Sequence, residues 1–246
     1  MKFGLIGDGR IAKRHKKAVS SIGGNISWVY DPIHKEVDIT PDGYRAIHNL
    51  NKENFMLVDY VIICSPTFLH YDHIKLALKY DVKIIVEKPM VLPWQPIIDN
   101  DDISVVLQLR WLPLPDKANK VFLKAARNDE YFTGWKGDPK TTGGLFFDLF
   151  IHYIDLARNL GAEFEALVES EGSQERYVDD IDLMNIDMDD AYEKMYRDII
   201  FQNKGVKPID VSELHWLLGK FTERFGSGKE ILGHKIIIKP DGFNLI

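Results

Sequence analysis

Cysteine is almost missing from this 246-residue chain: Cys64 is the only one. An intramolecular disulfide and a multi-cysteine metal site are therefore excluded, and a reducing compartment suits the chain. Long apolar runs are missing too. None approaches the roughly 20 residues of a membrane span, so no membrane association is expected. Positive charge is scarce: 31 Lys and Arg against 37 Asp and Glu leave a net charge of −6, which argues against nucleic acid as a partner. No internal repeat or low-complexity tract stands out. The opening residues, MKFGLIGDGR, run straight into a strand and a glycine loop. No signal peptide is expected there, and a cytoplasmic location is.

What remains is a globular composition, 45% hydrophobic and 28% charged, long enough for one large or two small domains. Residues 2–7 (KFGLIG) read as a buried strand. Gly7-Asp8-Gly9-Arg10-Ile11-Ala12 follows as a G-x-G-x-x-A turn, then a helix over 11–22 and a strand over 25–30 that ends on Asp31. Each part has a physical task. Gly7 permits the tight turn, Gly9 lets a pyrophosphate approach the backbone, and Ala12 lets the helix pack closely on the strand. The helix start offers free N–H groups and a partial positive charge. Asp31 stands 22 residues after Gly9, where a carboxylate accepts from ribose hydroxyls and repels a 2′-phosphate. NAD is therefore favoured over NADP. The basic cluster Lys13–Lys17 reads as a solvated helix face with one residue turned inward.

Further strands are expected over 59–64 (DYVIIC) and 82–86 (VKIIV), with Ser65-Pro66-Thr67 and a helix over 68–80 between them. The second of these strands ends in Glu87-Lys88-Pro89. Alternating strands and helices predict an α/β fold with a doubly wound parallel sheet that binds ligands at its carboxyl ends. Lys88 would then point at the same crevice as the glycine turn. We expect an NAD-binding Rossmann domain over 1–102 and a second, reduced α+β domain over 103–246. In the latter, 103–110 reads as a strand, 116–127 as a helix, 131–142 as a broken loop and 163–169 as a strand. Helices follow over 189–203 and 211–225, with Asp210 as an N-cap, and the tail has one apolar run, Ile236–Ile238.

The stretch 141–161, TTGGLFFDLFIHYIDLARNLG, reads as one mostly buried helix. Asp148, His152, Asp155 and Asn159 follow at spacings of 4, 3 and 4 and share a face. Unpaired polar groups in such a place cost several kcal/mol, roughly, so the carboxylate and the imidazole need a reason. A His oriented by an Asp transfers protons near neutral pH; the same pair can also do no more than satisfy itself. His70 and His73 share a helix, but no third ligand has a matching spacing and no metal is expected.

Four motifs, GLIGDGRIAKRH (4–15), CSPTFLHY (64–71), EKP (87–89) and GGLFFDLFIHYIDLARNLG (143–161), resemble the Gfo/Idh/MocA family of NAD(P)-dependent sugar oxidoreductases. They occur in that family's order. LQLRW (107–111) and GWKGDP (134–139) are most similar to its UDP-N-acetylglucosamine 3-dehydrogenase branch. The resemblance implies oxidation at C3 of a UDP-linked N-acetylhexosamine or its uronic acid, in making surface polysaccharides. It implies Lys88, Asp148 and His152 around the reacting hydroxyl, with His152 or Lys88 as the base. Gly7, Gly9, Arg10 and Ile11 match the pyrophosphate loop, and Asp31 the ribose acid. Ser65, Pro66, Thr67 and His70 match the loop beside the nicotinamide ribose, and Glu87 the acid on the nicotinamide side. Gln108, Arg110, Trp135, Lys136 and Asp138 match substrate-side positions. Family members are longer, with a large open sheet that often builds the oligomer interface; the short segment at 162–187 puts a homo-oligomer in doubt here. Two alternatives stay open: another polyol or sugar as substrate, or a non-catalytic NAD-binding protein.

Overall fold

A computed structural model describes residues 1–133 and 135–241. In chain order it contains β1 (Lys2–Ile6), α1 (Ala12–Ser21), β2 (Asn25–Tyr30), α2 (Lys52–Phe55), β3 (Tyr60–Ile63), α3 (His70–Leu78), β4 (Lys83–Glu87) and β5 (Ile103–Val106). These are followed by β6 (Lys120–Ala126), α4 (Asp129–Thr133), α5 (Pro139–Thr142), α6 (Ile151–Leu160), β7 (Glu163–Glu169), β8 (Glu175–Val178) and β9 (Ile181–Asp182). The last elements are α7 (Met188–Gln202), α8 (Pro208–Phe225) and β10 (Lys235–Ile238). Gly134, within the GWKGDP motif, and the last five residues lie outside the described residues. The chain forms two compact units, one of 1–91, 95–106 and 189–211, the other of 92–94, 107–188 and 212 onward.

The first unit is built on a wholly parallel sheet of order β2-β1-β3-β4-β5. Its strands are near-continuous apolar runs, as strands covered on both faces must be: every residue of β3 and β5 is buried. The order reverses at β1, which places the topological switch point at the glycine turn. The basic cluster on α1 turns two residues inward rather than one, since His15 and Lys16 join Ala12 and Val19 on the buried face. That set follows the helical i, i+3, i+4, i+7 spacing.

Three expectations about this unit's limits need correction. The strand at 103 stops at Val106, and Gln108–Trp111 is a 3-10 turn. It pairs parallel with β4 and so completes the first sheet instead of opening a second domain. Residues 189–211 also return to the first unit, where the Val105 N–H donates to the Val206 carbonyl at 2.8 Å. A linear boundary at 102 could not anticipate either pairing, because both are made by distant segments.

The second unit contains a mixed five-stranded sheet of order β10-β7-β6-β8-β9. Residues 120–126 are a strand, not the expected helix. Val121, Leu123 and Ala125 are buried while their neighbours are not, a period of two that outweighs the helix-forming lysines and alanines around it. The broken loop at 131–142 holds the short turns α4 and α5. Phe146–Phe150 form a π-helical turn that feeds α6, and α6 ends on Gly161 in the left-handed conformation, φ 63°. Asp210 is not the N-cap of α8. The helix starts at Pro208, and the Asp210 carboxylate reaches back to accept from the Lys207 N–H at 2.9 Å, the reciprocal half of a capping box. Among the described residues no helix is long and apolar enough to cross a membrane, and no group of three or more His, Cys, Asp or Glu is placed to hold a metal ion.

Candidate functional site

In the first unit the candidate residues gather at the carboxyl ends of β1 to β4. Gly7 ends β1 with φ 95°, and a Cβ there would lie 2.6 Å from the Ser65 nitrogen; only glycine fits. Gly9 is glycine for another reason, since a Cβ built on it meets no protein atom within 4 Å. The fold itself leaves that space. The N–H groups of Gly9, Arg10 and Ile11 make no hydrogen bond among the described residues, and they precede the first turn of α1, the positive end of its dipole. These groups fit a pyrophosphate.

Asp31 caps the 3-10 turn Pro32–His34. One carboxylate oxygen accepts from the Ile33 N–H at 2.9 Å and the other from the Asp8 N–H at 2.7 Å. The acid is thereby fixed against the glycine turn, with lone pairs left for ribose hydroxyls. A cluster not foreseen from the sequence braces this corner. Lys16 lies 2.5 Å from Asp8 and 2.7 Å from Asp42, and His34 Nε2 lies 2.7 Å from Asp8. Burial pulls the Lys16 ammonium down, but hydrogen bonds to Asp42 and Asp8 and their charges outweigh it and hold its pKa above the usual value. Three carboxylates against one lysine and one histidine make this a poor setting for a 2′-phosphate.

Two residues matched to cofactor contacts turn out to be internal. His70 is 1% exposed, with its ring nitrogens 2.9 Å from the Pro89 carbonyl and 2.8 Å from the Ser65 carbonyl. It fastens the turn after β3 to the turn after β4, and burial lowers its pKa. Glu87 is buried as well. Tyr192 donates its hydroxyl to Glu87 Oε1 at 3.0 Å, His15 Nε2 lies 3.1 Å from the same oxygen, and the Lys88 N–H donates to Oε2 at 3.2 Å. Tyr196 completes the group, 2.7 Å from His15 Nδ1. Glu87 thus holds the backbone of Lys88 from within the protein. Thr67 is buried in the 3-10 turn capped by Pro66, and Ser65 Oγ sits 2.9 Å from His73 Nδ1.

In the second unit Asp148 lies on the π-helical turn, and the Tyr131 hydroxyl donates to its Oδ2 at 2.6 Å. Burial, and then the Asp148 charge, push the Tyr131 pKa up. His152 stands on the first turn of α6, half-buried. Further along the polar stripe, Asp155 is bonded by Arg110 through two contacts, Nε–Oδ2 2.7 Å and Nη2–Oδ1 2.6 Å. Asn159 donates back to the Asp155 carbonyl at 2.7 Å. The fork of Arg110 is therefore committed to a buried carboxylate. Asp138 has a local task too: it caps α5 and accepts from the Lys140 N–H at 2.9 Å. Trp135 is exposed, with the Lys136 ammonium 5.5 Å from its ring centroid. Gln108 Oε1 is buried without a hydrogen-bond partner among the described residues.

A doubly wound parallel sheet with a glycine turn at its switch point defines a Rossmann domain, here joined to a second unit built on a mixed sheet. Residues 1–103 match the Gfo/Idh/MocA family, described as an oxidoreductase family with an NAD-binding Rossmann fold. Inositol 2-dehydrogenase of Rhizobium meliloti (strain 1021) is 29% identical over 185 residues, 66% of this chain and 56% of the relative. The chain spans about half the length of the curated relatives it matches. Among solved structures, the WlbA (WbpB) dehydrogenase of Thermus thermophilus, in complex with NAD and UDP-GlcNAcA, is 22% identical. It aligns over 90% of this chain and 94% of its own with a TM-score of 0.69. The UDP-N-acetylglucosamine 3-dehydrogenase GnnA of Acidithiobacillus ferrooxidans is 15% identical, over 89% of this chain and 96% of its own, with a TM-score of 0.63. At these identities the structural likeness speaks for the fold.

Proposed function

We propose that the chain is an NAD-dependent dehydrogenase that oxidises a secondary hydroxyl of a sugar, with a UDP-linked N-acetylhexosamine or its uronic acid as the favoured substrate. The observation that carries this reading is the edge of the first sheet. There the open glycine turn, the fixed acid Asp31 and the Lys88 backbone held by Glu87 follow three strands of one parallel sheet. The likeness to the WlbA and GnnA folds supports the nucleotide-sugar branch.

Gly7, Gly9, Arg10 and Ile11 would hold the dinucleotide's pyrophosphate and Asp31 a ribose. The bound dinucleotide would supply the hydride acceptor, so that a CH–OH becomes a ketone and one proton is released. His152 takes the hydroxyl proton as general base. Asp148, anchored by Tyr131, supplies the negative charge that favours the resulting imidazolium. Lys88 donates to the oxygen as it becomes an alkoxide. A reducing, cytoplasmic setting suits the one buried cysteine.

The test mixes the protein with NAD and either UDP-N-acetylglucosamine or its uronic acid and follows the absorbance of the reduced cofactor. Lys88→Ala and His152→Ala should each abolish turnover and leave NAD affinity nearly intact. Loss of NAD binding in either variant would mean that its role is misassigned. A second reading, a cyclitol as substrate, is favoured by the inositol dehydrogenase relative; turnover of myo-inositol with none of the UDP-sugars would establish it.

A further inference from the structure

The second unit carries two arginines that the reading above leaves unused. Arg176 lies on β8 opposite Leu123 of β6, and Arg127 extends β6 by one residue, its N–H donating to the Glu169 carbonyl at 2.8 Å. Side chains alternate along a strand. Both arginines therefore share the sheet face of Val121, Leu123 and Ala125, which is the buried one. Arg127 Nη1 donates to the Ala126 carbonyl and Arg176 Nη2 to Gln174 Oε1, both at 2.7 Å. The Nε of each is buried with no hydrogen-bond partner among the described residues. Neither guanidinium pairs with a carboxylate among those residues, whereas Arg14, Arg110, Arg158 and Arg197 all do.

A half-buried cation with an unmet donor is costly to keep. Tyrosine rings connect the two arginines to the candidate catalytic helix. The Arg127 guanidinium lies 5.0 Å from the Tyr131 ring centroid, and Tyr131 is the residue that donates to Asp148. The Arg176 guanidinium lies 6.0 Å from the ring of Tyr153, next to His152 in sequence. Burial raises the Tyr153 pKa, and the charges of both arginines oppose it.

We propose that Arg127 and Arg176 form an anion subsite of the second unit, which takes a carboxylate or phosphate group of the sugar whose hydroxyl is presented to Asp148 and His152. The placement of that hydroxyl rests on the dehydrogenase reading; the affinity for an anion does not.

Calorimetric titration of the full chain, saturated with NADH, tests this without turnover. The ligands are N-acetylglucosamine, UDP-N-acetylglucosamine and its uronic acid, then glucose, glucose 6-phosphate and inorganic phosphate. Arg127→Gln and Arg176→Gln should each weaken an anionic ligand by about ten- to hundredfold, the loss of one or two charge-assisted hydrogen bonds. Neutral sugars and NADH should bind as before. The ligand at which the loss first appears identifies the group: the UDP-sugar or the sugar phosphate for phosphate, the uronic acid for carboxylate. Arg127→Lys and Arg176→Lys keep the charge and should retain part of the affinity, which guards against a glutamine variant that fails to fold. The proposal is overturned if no variant changes affinity for any anion, or if neutral and anionic sugars weaken together. A chain that binds anionic sugars through these arginines yet never reduces NAD would refute the dehydrogenase reading alone.

Discussion

Arg110→Ala separates a structural cation from a substrate ligand. The guanidinium meets Asp155 through two charge-assisted hydrogen bonds of 2.7 and 2.6 Å, and the side chains are 25% and 2% exposed. Such bonds are worth about 1.5–3 kcal/mol each. Deleting the arginine also strands a carboxylate inside the protein, and breaking a buried pair costs about 3–5 kcal/mol. The quarter-exposed guanidinium admits water, which moves the expected loss to the low end, about 3 kcal/mol. Urea unfolding followed by tryptophan fluorescence reads it, fitted with a separate transition for each unit if the curve requires one. Replacing both partners by apolar residues of similar volume, Arg110→Met with Asp155→Leu, should recover most of the loss. A substrate-binding arginine would behave otherwise, with KM rising while stability stays within about 0.5 kcal/mol. A loss below about 1 kcal/mol in Arg110→Ala would refute the assignment of this residue to the protein's interior.

Gly7→Ala places a Cβ 2.6 Å from the Ser65 nitrogen at φ 95°, so thermal melting should show a loss of about 2 kcal/mol or more together with loss of NAD binding. Tyr192→Phe removes one of the donors to Glu87 and should cost about 1 kcal/mol in urea, with no larger effect because His15 still faces that oxygen. Burial, and then the charge of His70, depress the His73 pKa to about 4. Its folded pKa lies below the unfolded one, so its contribution to stability is complete above about pH 6.5 and is lost as pH falls toward 4, by up to roughly 3 kcal/mol. Denaturation curves across that window should show this slope, and His73→Gln should flatten it.

The β1–α1–β2 unit was legible because each constraint there is local. The glycines, the apolar strand and Asp31 act within about 30 residues of each other. The misreading of β6 came from its alphabet: Lys120, Lys124, Ala125 and Ala126 favour a helix, and only the pairing with β7 and β8 decides otherwise. The polar stripe of α6 was visible from its spacing, but its partners were not. Arg110 and Tyr131 come from turns 45 and 17 residues away, and nothing local selects them. His15 carried a weak signal, since it shares the buried-face spacing of Ala12 and Val19 on α1. Its bonds to Glu87 and Tyr196 depend on α7 returning to the first unit, which local patterns do not encode. Arg127 and Arg176 gave no signal, because Arg127 closed a segment, 116–127, that reads as a helix and Arg176 fell in a stretch to which no element was assigned.

The central claim is that a dinucleotide rests on the Gly7–Ala12 turn. A Gly9→Val variant tests it most directly, because the added side chain meets no protein atom within 4 Å of its Cβ. We predict an unchanged melting curve and at least a tenfold loss of NADH affinity, measured by fluorescence titration against the wild type. Undiminished NADH affinity in a folded Gly9→Val protein would contradict the account.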